Sequence, residues 1–329
     1  MPAPPPPSAM CDTTRHEPLE VFKKCQGTWE VSTKEYKLVQ KIGEGAYGII
    51  YKGTLRGETV AAKMLKEDKE HGICHTSDEQ GYKDLIMELD ILLSIGTHPN
   101  LVQFMGACIE DRGNPIVFEE FVNGPSLAQY FQLKVEHSGF VFKPPRAMAY
   151  GWIMDMLRAL DFLHNRDPVI IHRDMKPGNL LLSRDLSILK LADFGMGKVV
   201  RRDQLDHANH RGHTGTVAYM APEVFNKIQS HYTEKADIYS AAVIMWCICS
   251  GQGPMLSKAA RTHPHNITVR PDLSQIGWKE LEEVVNTAWH PIPEQRPSAA
   301  DLLATLSRLP GKPSLEAPPM PQGCRCCLQ

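Results

Sequence analysis

The sequence has no stretch that could cross a membrane as a helix. Its longest apolar run is Ala241–Cys249, far short of the roughly 20 residues a spanning helix needs. Met1–Ala9 is proline-rich and has no apolar segment, so no secretory leader is visible. Neither sign of charge is in excess. The 36 Lys and Arg against 38 Asp and Glu leave −2, which gives no electrostatic reason to expect nucleic acid as a partner. Metal-site spacing is missing among Cys11, Cys25, Cys74, Cys108, Cys247 and Cys249. Scattered thiols of this kind fit a reduced, cytoplasmic setting. Internal repeats are also absent.

What is present has a clear order. The lead, residues 1–35, contains the extended run Pro4-Pro5-Pro6-Pro7, a spacer or an SH3-type ligand. The tail, residues 310–329, is proline-rich and crowds Cys324, Cys326 and Cys327 into its end. Cys326-Cys327-Leu328-Gln329 satisfies the C-a-a-X pattern, with Gln favouring farnesyl on Cys326. One prenyl chain anchors weakly, so membrane association needs a second signal, for which Cys324 or Cys327 is the palmitoylation candidate. Between lead and tail, residues 36–309 read as the ordered part, divided at about residue 121.

The first part of that segment is strand-like. Lys37–Ile42 and Ile49–Gly53 flank a glycine-rich turn, and Val60, Ala62 and Met64 alternate with Ala61 and Lys63. Leu85, Leu89 and Leu92 then recur at helical spacing. Beyond Pro144, helices dominate. Ala149, Trp152, Ile153, Met156, Leu160 and Leu163 form one face, with Asp155 and Arg158 expected opposite. Ala236–Ser250 is apolar nearly all round, and Ala299, Leu302, Leu303, Leu306 and Leu309 mark a last stripe. The expected fold is α+β: a small lobe built on an antiparallel sheet, followed by a mainly helical lobe.

The chemistry lies in a series of short motifs. Gly43-Glu44-Gly45-Ala46-Tyr47-Gly48 suits a loop whose backbone N–H groups approach phosphate oxygens. It opens into the strand-like Ile49-Ile50-Tyr51 and not into a helix, which argues against a dinucleotide fold. Lys63 shares a strand face with the small Ala61, leaving room for a flat base while the ammonium reaches toward phosphates. Glu88 sits inside an apolar stripe, where a carboxylate needs a cationic partner. Lys63 is the natural one. His172-Arg173-Asp174-Met175-Lys176-Pro177-Gly178-Asn179 supplies a carboxylate for a substrate hydroxyl (Asp174), a cation for a moving phosphate (Lys176) and an oxygen ligand for magnesium (Asn179). Leu180–Leu182 and Ile188–Leu191 read as a hairpin that returns Asp193-Phe194-Gly195 beside Asn179, adding a second metal ligand. Ala221-Pro222-Glu223 follows.

Taken together, in this order, these motifs resemble the eukaryotic protein kinase superfamily over residues 36–309. The resemblance implies a bilobal fold, with ATP and Mg2+ in the cleft and protein substrates. It implies Asp174, Lys176, Lys63 and Glu88 as catalytic residues, and Asn179 and Asp193 as magnesium ligands. The ATP site would comprise Ile42, Gly43, Glu44, Gly45, Ala46, Tyr47, Gly48, Ile50, Ala61, Lys63 and Leu181. Lys176-Pro177 and Thr216 are similar to serine/threonine kinases. Gly27-Thr28-Trp29-Glu30, His98-Pro99-Asn100-Leu101-Val102-Gln103-Phe104, Gly215-Thr216-Val217-Ala218-Tyr219-Met220 and Lys235-Ala236-Asp237-Ile238-Tyr239-Ser240 resemble the tyrosine-kinase-like group of those enzymes. By the same resemblance, Leu92, Phe104, His172 and Phe194 should stack as a spine between the lobes, and Glu223 should pair with Arg296.

Some readings stay open in the sequence. Counting back from Pro125-Ser126-Leu127 puts Glu119 at the position guarding the rear of the ATP pocket, and a one-residue shift puts Phe118 there. Thr214 is the candidate phosphosite of the loop between Asp193 and Glu223, against the alternative of a loop active without phosphate. His207, His210 and His213 form a solvated polar segment or, with Asp206, a metal site. The competing function is a pseudokinase scaffold tethered at a membrane. That reading normally goes with loss of a residue equivalent to Lys63, Asp174 or Asp193, and all three are present.

Overall fold

Alternating β-branched and small residues after Tyr36 give short strands, and these close into one five-stranded antiparallel sheet in the order β1-β2-β3-β5-β4. The strands are β1 Tyr36–Glu44, β2 Ile49–Leu55, β3 Glu58–Met64, β4 Phe104–Cys108 and β5 Ile116–Glu120. The computed structural model describes residues 29–44, 48–64, 88–109, 115–200, 216–225, 233–253 and 270–313. Gly45, Ala46, Tyr47, Thr214, Cys326, the Pro4–Pro7 run and the histidine group at 207–213 lie outside the described residues.

The sheet buries one face around Val60, Ala62 and Phe118, each 0% exposed. Packing begins before Tyr36, the boundary read from the sequence. Val31 is buried and donates its N–H to the Ala107 carbonyl at 2.8 Å, while Ala107 N–H donates to Trp29 O at 2.9 Å. This extra strand segment crosses close over Gly106, where a Cβ would lie 2.7 Å from Val31 Cγ2 and 2.8 Å from Trp29 O. Only glycine fits there.

On the other face of the sheet lies a helical segment, α1, spanning residues 88–95. Leu89, Ile91, Leu92 and Ile95 are buried along it. The helical lobe comprises α2 Leu127–Ser138, α3 Arg146–His164, α4 Pro222–Phe225, α5 Lys235–Ser250, α6 Lys279–Ala288 and α7 Ala299–Ser307. Local sequence sets their ends. Ser126 and Gln129 form a reciprocal capping box at α2, and Ser298 with Asp301 does so at α7. Such a cap is worth ~1 kcal/mol. Two antiparallel ribbons line the lobe's upper face: β6 Val169–Ile171 with β9 Lys198–Val200, and β7 Leu180–Leu182 with β8 Leu189–Leu191. A single hydrophobic core runs from α1 through α3 and α5 to α7. Among the described residues, no helix is long and apolar enough to cross a membrane.

One expectation for α3 fails. Asp155, expected opposite the apolar face, is only 8% exposed. The helix is wrapped on most sides, and Asp155 Oδ2 accepts the Leu189 N–H at 3.0 Å while Oδ1 accepts from Arg158 at 2.9 Å. Periodicity shows where apolar residues lie. It does not show that a carboxylate will be drawn inward to satisfy a strand edge.

Candidate active site

Residues 172–176, between β6 and a 3-10 turn at Pro177–Asn179, have no regular structure of their own, and a buried carboxylate on a helix holds them. Asp237 lies in the first turn of α5 and is 1% exposed. Its two oxygens accept the N–H groups of His172 and Arg173, both at 2.8 Å, and Oδ2 lies 3.0 Å from His164 Nε2. Burial pushes this carboxyl up, but the His164 bond and the backbone donors hold it below the usual aspartate value. The clamp fixes Arg173 at φ 70°, a left-handed conformation a non-glycine residue adopts only when its surroundings impose it. Sequence reasoning did not single out Asp237. The signal was there: a lone aspartate in a helix apolar nearly all round must have partners.

With the segment fixed, Asp174 collects three neighbours. Lys176 Nζ lies 2.5 Å from its Oδ2, and Asn179 Nδ2 donates to Oδ2 at 3.2 Å and to the Asp174 carbonyl at 2.9 Å. Thr216 donates its N–H at 3.0 Å and its hydroxyl at 3.2 Å to Oδ1. The hairpin acts as expected. Ala192 N–H donates to Asn179 O at 2.9 Å, bringing Asp193 back to the site.

Across the cleft, Lys63 on β3 donates to Glu88 Oε1 at 2.7 Å and Oε2 at 2.6 Å, and to Asp193 Oδ1 at 3.0 Å. Burial alone would lower the Lys63 pKa, but the carboxylates of Glu88, Asp193 and Glu119 outweigh it and raise it. Burial likewise pushes Asp193 up, yet the Lys63 ammonium holds it below its ordinary value, so it is ionised. An ionised Asp193 with a partly exposed side chain, one residue beyond the Ala192 N–H that bonds the Asn179 carbonyl, offers with the Asn179 side-chain oxygen a donor set of the kind magnesium takes. Of the residues assigned to the nucleotide, Ile42 is 44% exposed and Ile50, Ala61 and Leu181 are half-buried. Gly43 pairs with Ile50 across β1 and β2.

Phe194 is 1% exposed and meets the His172 ring edge-on, with centroids 5.1 Å apart. Leu92 belongs to the same core cluster, and Phe104 packs against it. Glu223 and Arg296 form the expected buried pair, with two parallel bonds of 2.6 and 2.8 Å. Arg296 also donates to the carbonyls of His290, Lys235 and Pro291.

The rear position is decided by strand register. Glu119 pairs with Ala61, and Val117 with Lys63, so Glu119 shares the cleft face of the sheet. Phe118 pairs with Ala62 and points into the opposite core. Glu119 therefore guards the pocket. Burial, with Glu88 and Asp193 nearby and only Lys63 opposing, pushes its carboxyl up to about 8.

A protein kinase domain model matches residues 36–308. The chain is 31% identical over 297 residues to the serine/threonine-protein kinase VIK of Arabidopsis thaliana, covering 89% of this chain and 64% of that protein. It is 32% identical over 276 residues to the seven transmembrane domain-containing tyrosine-protein kinase 1 of Dictyostelium discoideum, covering 82% and 38%. Human mitogen-activated protein kinase kinase kinase 7 is 31% identical over 287 residues, 85% of this chain and 43% of that protein. The chain thus spans less than two thirds of the length of these relatives. The matched region contains every site residue described above, and the chain belongs to the protein kinase family.

Proposed function

We propose that the chain transfers the γ-phosphate of ATP to serine and threonine hydroxyls of proteins. The observation that carries this reading is the joint placement of Lys63, tied to Glu88 and Asp193, and Asp174, held by Lys176, Asn179 and Thr216. Lys63 would orient the nucleotide phosphates from the sheet side. The substrate hydroxyl oxygen attacks the γ-phosphorus as its bond to the β-phosphate oxygen breaks, and Asp174 accepts the hydroxyl proton. Lys176 lies where charge on the moving phosphoryl group needs a cation. Asn179 and Asp193 would hold Mg2+, which when bound neutralises charge on the phosphates. A cleft lined by Asp174, Thr216, Tyr219, Met220 and Ala221 opens beside the base, on the side a peptide would approach.

The preference for serine and threonine rests on Lys176 and Thr216 at Asp174, and on relatives whose names include serine/threonine-protein kinases. Nothing that a scaffold reading requires to be lost is lost. Transfer from radiolabelled ATP to generic protein substrates, followed by phospho-amino-acid analysis, tests the proposal. Label should appear on serine and threonine and fall at least about 100-fold in Lys63→Met and in Asp193→Asn. Label on tyrosine alone, or no transfer by folded protein, would sink it. The tail extends the proposal to membrane association through a lipid on Cys326, and fractionation of a Cys326→Ser variant tests that part separately. Thr214 stands as the proposed phosphosite, to be checked by phosphopeptide mapping.

A further inference from the structure

Glu119 has an acceptor with nothing to accept from. Its Oε1 has no contact with solvent and no hydrogen-bond partner among the described residues. The nearest cation cannot supply one. An ammonium has three donors, and Lys63 commits its bonds to the two Glu88 oxygens and Asp193 Oδ1. Buried acceptors are otherwise almost always satisfied, so the geometry calls for a donor from outside the chain.

The sheet register indicates where that donor would come from. Ala61 and Glu119 are cross-strand partners on the cleft face. A flat base packed on Ala61, with its phosphates toward Lys63, presents an edge to Glu119. Two adjacent groups on adenine, the 6-amino group and N7, form a donor–acceptor pair that an amide side chain reads with two hydrogen bonds. A neutral carboxyl group has the same pattern, since its C=O accepts and its O–H donates. Of the two glutamates beside Lys63, Glu88 holds the ammonium on both oxygens, which leaves the proton to Glu119. The raised Glu119 pKa agrees with this, and bound phosphates would raise it further. Guanine places two acceptors, O6 and N7, on the same edge, so one of the two bonds would become a repulsion.

We propose that Glu119 reads the C6 edge of the nucleotide base, accepting from the adenine 6-amino group and donating to N7, and so selects ATP over GTP. The inference rests on the ATP reading above. Its test measures binding without turnover. A fluorescent nucleotide analogue is displaced at pH 7 by ATP, GTP or 7-deaza-ATP, from the unsubstituted protein, Glu119→Gln and Glu119→Met. The unsubstituted protein should prefer ATP over GTP by about tenfold more than Glu119→Met does. Glu119→Gln presents the same donor–acceptor face and should keep the preference. 7-deaza-ATP, which lacks the N7 acceptor, should bind the unsubstituted protein about five-fold more weakly than ATP. An unchanged ATP-to-GTP ratio in Glu119→Met overturns the assignment, as does 7-deaza-ATP binding as tightly as ATP. Should the methionine variant not fold, the 7-deaza-ATP comparison on the unsubstituted protein decides alone. Failure of every nucleotide to bind would overturn the ATP reading, whereas ATP binding with no discrimination overturns only the role of Glu119.

Discussion

A glutamate placed beside two other carboxyl groups is costly to the folded chain, and its sign can be worked out. Glu119 has an ordinary value of 4.5 and is pushed up to about 8 in the folded protein. Between those values the folded state keeps a proton that the unfolded state has released. Stability associated with Glu119 is therefore complete below pH 4.5 and is lost as pH rises toward 8. Without nucleotide, the melting temperature should fall more steeply from pH 5 to pH 8 in the unsubstituted protein than in Glu119→Gln. The two should differ by about 2–4 °C at pH 8 for each kcal/mol involved. Parallel melting curves across that range would remove the argument. The sequence left Glu119 and Phe118 as alternatives because motif counting fixes an order along the chain. Which face a side chain occupies depends on the pairing of β5 with β3, and a one-residue slip exchanges the faces.

Among the elements, those that the sequence described best combine a periodic apolar stripe with an explicit end signal. Helix α7 is one, with its Ser298–Asp301 cap. Helix α5 is another, buried on nearly every side as its composition implied. The β7–β8 hairpin was legible because Leu180–Leu182 and Leu189–Leu191 are short apolar runs around a polar turn. Connections made by one side chain to distant backbone were not legible, since any polar residue could make them. Asp155 to Leu189 and Asp237 to His172 and Arg173 are of this kind. The pair between Glu223, on α4, and Arg296 is intermediate, being expected from resemblance and explained by geometry. Arg296 is 2% exposed and binds both Glu223 oxygens and three carbonyls. Arg296→Met would leave Glu223 charged, buried and alone, at a cost of about 3–5 kcal/mol. Thermal unfolding should then begin roughly 10 °C lower. Adding Glu223→Gln should recover part of that loss, because it removes the stranded charge. If the double variant melts no higher than the single one, the pair acts through packing and not through charge.

At the scale of the whole molecule, Lys63 is the point where the sheet, α1 and the segment after β8 are joined by charge. It sits on β3, its first partner Glu88 opens the described part of α1, and its second, Asp193, follows β8. One ammonium thus offsets a group of three carboxyls, with Glu119 the third. Glu88 and Glu119 are raised by burial even beside it, so only the contribution of Asp193 changes sign when it is removed. With Lys63 present, Asp193 is held below 3.8, its ordinary value, and stabilises the fold at neutral pH. In Lys63→Met, the attraction of the ammonium for both carboxyls disappears, so Glu88, already raised by burial and Asp193, rises further, and Asp193 keeps its burial with only His172 and Lys176 to offset it. The folded state then holds more protons than the unfolded state above about pH 4–4.5, and stability falls with every further rise in pH. Lys63→Met should accordingly melt close to the unsubstituted protein at pH 5 and about 5–10 °C below it at pH 8, without nucleotide or metal. Adding Glu119→Gln should reduce that gap by taking one carboxyl out of the cluster. A constant offset between Lys63→Met and the unsubstituted protein at all pH values would mean that Lys63 contributes packing alone. The charge network would then have no part in holding the two halves of the site together.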